Sequence, residues 1–541
     1  MNEQNIQSTQ NEPKANAPDI NGTSVSECKA NGQSNPQSKK AYTTLESVGA
    51  LLIFLIAFFS FKEFLAGIYP LGSSFVCILY AALTAGFMYY KRAVKAPVFS
   101  YYFLILAAAF IPSFLFTSNP MLIFSSFCAF LFFSLLFIYF RCGSGIGKPK
   151  ADVFVFDVGK AFFLAPFSSG ANAFSAMLYP LKKGKLKTAG RHIKYIAAGL
   201  FIAVIPTAVV LSNLSFDGRF VRILSDIFII NELGFVFDIV FSLLLAIPLT
   251  LYIFSAVSHY NEAESEEAKR ITAEMNQETL EKKHILPSLT VVSAAIPILF
   301  LYAVFFIAQF EDYTAAFSGK LPDGYVYSEY ARSGFFELCR VAALNAAFIF
   351  CARAFTKTKN GAPTIALRVI SSLICAASLV LIATAVSKML LYIDAYGMTP
   401  KRVYVSLFMI LMAAGFLVCL VSQFCTKLKM TWICITLAAL MLLIPSYANV
   451  DSFIACYNVD RYIGGTLDTL DYSVFANSTE ASMPALLKLY NTDKVTESDK
   501  RLISAYALTL RNEYKDENSV FTYSIPKLKA ISAINEILKD R

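Results

Sequence analysis

Runs of about twenty apolar residues recur between Leu45 and Asn449, each long enough to cross about 30 Å of hydrocarbon as a helix. In hydrocarbon every backbone N–H and C=O needs an internal partner, and a helix supplies one along its own axis. The chain is therefore expected to be all-α, a polytopic bundle of transmembrane helices. Composition agrees, with 56% hydrophobic and 16% charged residues, against about 25% charged in a typical soluble domain.

The spans are expected at 45–66, 69–90, 99–117, 120–140, 194–213, 234–257, 285–309, 334–353, 363–391, 402–424 and 430–449, about eleven in all within a range of about ten to twelve. Residues 1–41 are Asn, Gln, Ser, Lys and Pro with almost no large apolar side chain, and read as a disordered cytoplasmic tail. No cleavable signal precedes the first run, so that span is expected to be retained.

Residues 42–449 form the transmembrane domain on this reading. Within it, 141–194 carries many lysines, among them Lys148, Lys150, Lys160, Lys182 and Lys183, around short apolar pieces such as AFFLAPF. That pattern suits a cytoplasmic interfacial segment facing anionic headgroups. LSFDGRFVRILSDIF at 214–228 suits an amphipathic helix on the outer surface, and the polar stretch at 261–284 a solvated cytoplasmic helix. Residues 450–541 are soluble in composition. Amphipathic patterns at 480–490, 497–514 and 525–539 predict a small helical domain there.

Lys and Arg number 47 against 38 Asp and Glu. The surplus lies in short loops between spans, such as KRAVK at 91–95, RAFTKTKN at 353–360 and CTKLK at 425–429. Such clustering encodes membrane orientation and gives no reason to expect nucleic acid. It predicts a multi-pass membrane protein with its N-terminus cytoplasmic and the domain at 450–541 extracytoplasmic. The partners expected are the lipid bilayer and a membrane or envelope protein.

Motifs for chemistry are scarce. GSGIGK at 143–148 lacks the spacing of a phosphate loop, and Pro149 stands where Ser or Thr would hold magnesium. The cysteines form no CxxC, and His192, His259 and His284 are far apart in the chain. No catalytic residue, metal site or cofactor is predicted.

Charge inside the spans is more informative. YVYSEYARSGFFELCRVAALN at 325–345 places Glu329, Arg332 and Arg340 on one helical stripe, with Glu337 at its edge. Arginine at the centre of a span costs about 2.5–3.5 kcal/mol, so Arg340 calls for a partner, and Glu337 is the nearest. On the predicted topology Glu329, Arg332, Glu337, Lys388, Asp394, Arg402, Asp451 and Arg461 lie near the outer ends of spans, with Asn449 and Asn458 beside them. Together with Arg340 these groups admit an anion-binding cavity with arginine anchors, or a set of charges paired to fix helix packing.

Four stretches keep one order and spacing: LSFDGRF at 214–220, YSEYARSGFFELCRVAALN at 327–345, YIDAYGMTPKRV at 392–403, and ANVDSFIACYNVDR at 448–461. In these the chain resembles the bacterial membrane family of domain of unknown function 4153/4173, over about residues 190–490. The resemblance implies a multi-pass membrane architecture and no particular reaction. Three classes of function stay open: a transporter or channel for a small solute or lipid headgroup, an envelope enzyme, and a membrane-anchored envelope or signalling partner.

Overall fold

A computed structural model describes residues 44–66, 70–90, 98–141, 154, 157–164, 239, 241–247, 249–254, 286–308, 335–356, 364–425, 428–476, 480–516 and 522–539. The expected tail at 1–41, the span at 194–213, the outer amphipathic helix at 214–228, the polar stretch at 261–284 and most of 141–194 lie outside the described residues. The described residues all fall within one compact unit. Among the described residues it is helical without strands, and the only β feature is an isolated bridge between Leu286 and Thr356.

The first helices form two hairpins: α1 (Thr44–Ala66) with α2 (Pro70–Tyr90), and α3 (Ser100–Phe116) with α4 (Pro120–Arg141). The α3–α4 turn closes by standard helix-start chemistry. Pro120 opens α4 where its missing N–H is no loss, and Asn119 Oδ1 accepts the Met121 N–H at 3.0 Å. Aromatic contacts zip the pair, with Phe103 stacked on Phe140 at 5.1 Å and Phe110 on Phe133 at 5.9 Å. Beside α4, Phe162 stacks on Phe132, nine residues before Arg141.

The later helices are α5 (Ser288–Ala308), α6 (Phe335–Phe355), α7 (Ile365–Tyr396), α8 (Pro400–Phe424) and α9 (Met430–Ala448). Helices α5 to α8 share an apolar core that includes Ala295, Ala342, Ile374, Leu381, Met409 and Phe416. One polar chain crosses it: Tyr302 donates to Asn345 Oδ1 at 2.6 Å, and Asn345 Nδ2 donates to Ser378 Oγ at 2.8 Å. Where both sides of a helix interface are apolar, such bonds specify which faces meet.

Helix α9 returns to α3 and runs the same way. Tyr102, near the start of α3, donates to the Trp432 carbonyl at 2.8 Å, and Tyr447, near the end of α9, donates to the Ala109 carbonyl at 2.7 Å. One end of the bundle thus carries the turns at Thr117–Asn119, Gly397–Thr399 and Asn449. The other carries Arg141, Arg353 and Lys429, and is called the basic end below.

Among the described residues five helices are long and apolar enough to cross a membrane: α4, α5, α7, α8 and α9. Their outward surface is hydrocarbon-like. On α5, Leu289, Phe300, Leu301 and Ile307 are all more than 60% exposed, with no polar face on the helix. A water-exposed helix would not carry so large an apolar surface, whereas a span facing lipid must.

The remaining helices are α10 (Val450–Ile463), α11 (Tyr472–Ala476), α12 (Met483–Tyr490), α13 (Glu497–Asp516) and α14 (Ile525–Ile537). Helices α12, α13 and α14 follow the amphipathic patterns expected at 480–490, 497–514 and 525–539, and α10 and α11 join them. Ala455, Val459, Leu486, Leu489, Ile503, Ala507 and Ile534 close their own core. This helical domain packs on the turn end of the bundle through α10 against α8 and α9, and through α14 against α3.

Candidate functional site

The turn between α7 and α8 is the centre of the polar cluster. Gly397 ends α7 at φ 75°, a left-handed conformation that side chains with a Cβ rarely adopt. Its N–H bonds the Ile393 carbonyl, and Thr399 then caps α8 ahead of Pro400. The last carbonyls of a helix have no partner within it. Here two guanidinium groups from neighbouring helices supply partners.

Arg402, in the first turn of α8, turns back so that Nη1 donates to the Tyr396 carbonyl at 3.2 Å and to the Gly397 carbonyl at 2.5 Å. Its guanidinium lies over the Tyr392 ring at 3.9 Å. Arg461, from the last turn of α10, donates from Nη1 to the Asp394 carbonyl at 2.9 Å. Its Nη2 bonds the Thr466 carbonyl at 2.8 Å and the Asp394 carboxylate at 3.0 Å, while Nε bonds Thr466 Oγ1 at 3.1 Å. Positive charge at the carbonyl end of a helix is also favourable against its dipole.

Asn458 completes the contact. Its Oδ1 accepts the Met398 N–H at 2.7 Å and its Nδ2 donates to the Met398 carbonyl at 2.9 Å, so one side chain satisfies both polar groups of a turn residue. Two turns of α10 away, Asp451 is buried and accepts a bond from Asn119 Nδ2 at 3.2 Å. Ser118 bonds Ser524 at 2.9 Å, joining the α3–α4 turn to the start of α14. Outside the bundle Asp460 pairs with exposed Lys488 at 2.7 Å, and its carboxylate raises the Lys488 pKa.

The expected site residues are thus distributed unevenly. Asp394, Arg402 and Arg461 converge on one turn, and Asp451 lies on the same helix as Arg461. Lys388 is buried in α7, and Arg340 is exposed on α6. Glu329 and Arg332 lie outside the described residues, and of Glu337 only the backbone position in α6 is described. Asn119 was not among the expected residues. A lone Asn before Pro120 signals a helix start in sequence, but not the carboxylate its other amide atom meets. Among the described residues no three His, Cys, Asp or Glu side chains converge as metal ligands would.

This arrangement, an apolar helical bundle with a backbone-directed polar joint at one end and a helical domain seated on it, defines an integral membrane protein without a recognisable catalytic motif. The chain belongs to a particular family of such proteins, described as Domain of unknown function (DUF4153), whose model matches residues 99–489. The match begins well before residue 190, where the sequence resemblance was expected to start, and so takes in the α3–α4 hairpin. No curated protein and no solved structure matches the chain.

Proposed function

We propose that the protein is a membrane-embedded anchor that holds the domain formed by α10 to α14 rigidly on one face of a bacterial plasma membrane, where that domain engages a membrane or envelope protein. The observation that carries this reading is the direction of the joint's donors. Arg461 uses Nε, Nη1 and Nη2 within the protein, and Arg402 and Asn458 aim at backbone atoms of the same turn. Donors built to bind a solute would point into open space. The bundle has about eleven spans on this reading. On this reading the basic end faces the cytoplasm, with the N-terminus, and the helical domain faces outside, which the clustering of cations at that end and in its loops supports.

Transport of a small solute is the second reading, favoured by polar groups inside the bundle: Lys388, buried in α7, and the Tyr302–Asn345–Ser378 chain. One experiment separates the two. A photo-crosslinking residue at Leu502, which is 54% exposed on α13, should trap one discrete envelope protein in intact cells, and Arg461→Ala combined with Asn458→Ala should abolish the adduct. Reconstituted protein should move no charge on a solid-supported membrane. Absence of an adduct, together with solute-dependent currents removed by Lys388→Met, would replace the anchor reading by transport.

A further inference from the structure

At the basic end, away from the joint, α6, α8 and α9 enclose a cavity of about 260 Å³. Its walls are apolar side chains and thiols: Ile349 and Phe350 from α6, Met412, Phe416 and Cys419 from α8, and Cys434 from α9. Apolar cavities of roughly 150 Å³ already remain dry and accept small hydrocarbons, so a space of this size and lining is a hydrocarbon site.

The cavity is elongated. Along α6 it runs from Arg353 to Ala346 and along α8 from Cys419 to Met412, two turns in each case, or about 10 Å. Ala346 and Phe350 are both exposed, so the slot opens past them at the flank of the bundle, the surface that meets lipid. Gly415 lines it too, and a Cβ built there meets nothing within 4 Å.

Arg353 closes one end. It sits in the last turn of α6, at the basic end of the bundle. Its Nη1 donates to Ser422 Oγ at 2.9 Å and the Met430 sulfur at 3.4 Å, and the guanidinium also hydrogen-bonds the Cys419 thiol. Among the described residues no carboxylate pairs with it. A half-buried guanidinium lining an apolar slot, with only uncharged partners among the described residues, keeps its full charge available to an anion that enters beside it.

We propose that this slot binds an amphiphile with one alkyl chain in the cavity and an anionic head on Arg353. A chain of methylenes matches the length and lining of the slot, and a phosphate or carboxylate matches the fork of the guanidinium at the leaflet boundary. An anionic phospholipid and a free fatty acid share this chemistry. The site is separate from the joint, and the proposal does not depend on the function assigned to it.

Native mass spectrometry of the full chain in detergent tests it, with phosphatidylglycerol, palmitate, phosphatidylcholine and inorganic phosphate as probes. The wild type should retain phosphatidylglycerol or palmitate, whichever is the natural class, in preference to phosphatidylcholine. Gly415→Leu should remove that adduct by filling the slot, while melting no lower than the wild type because its side chain enters empty space. Arg353→Gln should lower anionic-lipid occupancy at least about tenfold and erase the preference over phosphatidylcholine. If Gly415→Leu melts early, Arg353→Gln alone decides. Unchanged occupancy in Arg353→Gln, or retention of inorganic phosphate equal to that of phosphatidylglycerol, overturns the proposal.

Discussion

Gly397 and Gly415 lie on the same helical hairpin and should respond oppositely to the same change. A methyl at Gly397 would meet Asn458 Oδ1 at 2.7 Å on a backbone already at φ 75°. Moving Asn458 away strands both polar groups of Met398, so Gly397→Ala should destabilise by about 1–3 kcal/mol. Gly415 has helical backbone and open space, and Gly415→Ala should be neutral or stabilise by up to about 1 kcal/mol. Thermal melts of the purified proteins check the pair, and equal shifts would show that the turn is not strained. Arg461 gives a second contrast. Arg461→Lys keeps the charge but cannot reach Thr466, the Asp394 carbonyl and the Asp394 carboxylate at once, so it should be nearly as damaging as Arg461→Gln. A Lys variant melting with the wild type would mean that charge alone holds the joint. The carboxylate contributes least, since the Asp394 side chain is 76% exposed and its pairing is screened by water.

At the scale of elements, the prediction concerns which solvent each exposed face meets. Phe300 is 65% exposed near the middle of α5, and Leu528 is 54% exposed on α14. Lysine at Leu528 should be tolerated, because water accepts the charge. Lysine at Phe300 should oppose insertion by about 2.5–3.5 kcal/mol and reduce the yield in the membrane fraction. Similar yields for the two would contradict α5 as a lipid-facing span. The helices themselves were legible in sequence because hydrocarbon thickness fixes a run length, and the runs at 99–117, 120–140 and 430–449 differ from α3, α4 and α9 only at their ends. Thr399-Pro400 and Asn119-Pro120 carry the capping chemistry of helix starts, although the span of α8 was expected only from 402. The partners of Arg402, Arg461 and Asn458 were not legible. Sequence shows that a polar group near a span end needs a partner, but a backbone carbonyl is equally present at every residue and leaves no signature. Arg353 looked like one more loop cation, because its apolar surroundings come from three helices far apart in the chain.

For the whole molecule the first test is sidedness. Cys456 on α10 and Cys425 at the end of α8 are both exposed, at opposite ends of the bundle. With the basic end cytoplasmic, a membrane-impermeant thiol reagent should label Cys456 in intact cells and Cys425 only after permeabilisation. The reverse pattern would invert the proposed orientation without changing the fold. A consequence of Asn449 follows at the same scale. This one residue, at φ 46°, both caps the end of α9 and accepts the Ser452 N–H to start α10, so no slack lies between span and domain. On the proposed topology the two helices act as the arms of a bent lever with its fulcrum at the membrane surface. Helix α10 has 14 residues, so a change of about 10° in span tilt would swing its far end by about 4 Å. On that topology bilayer thickness, which biases the tilt together with helix packing, is thereby coupled mechanically to the position of everything that α10 carries.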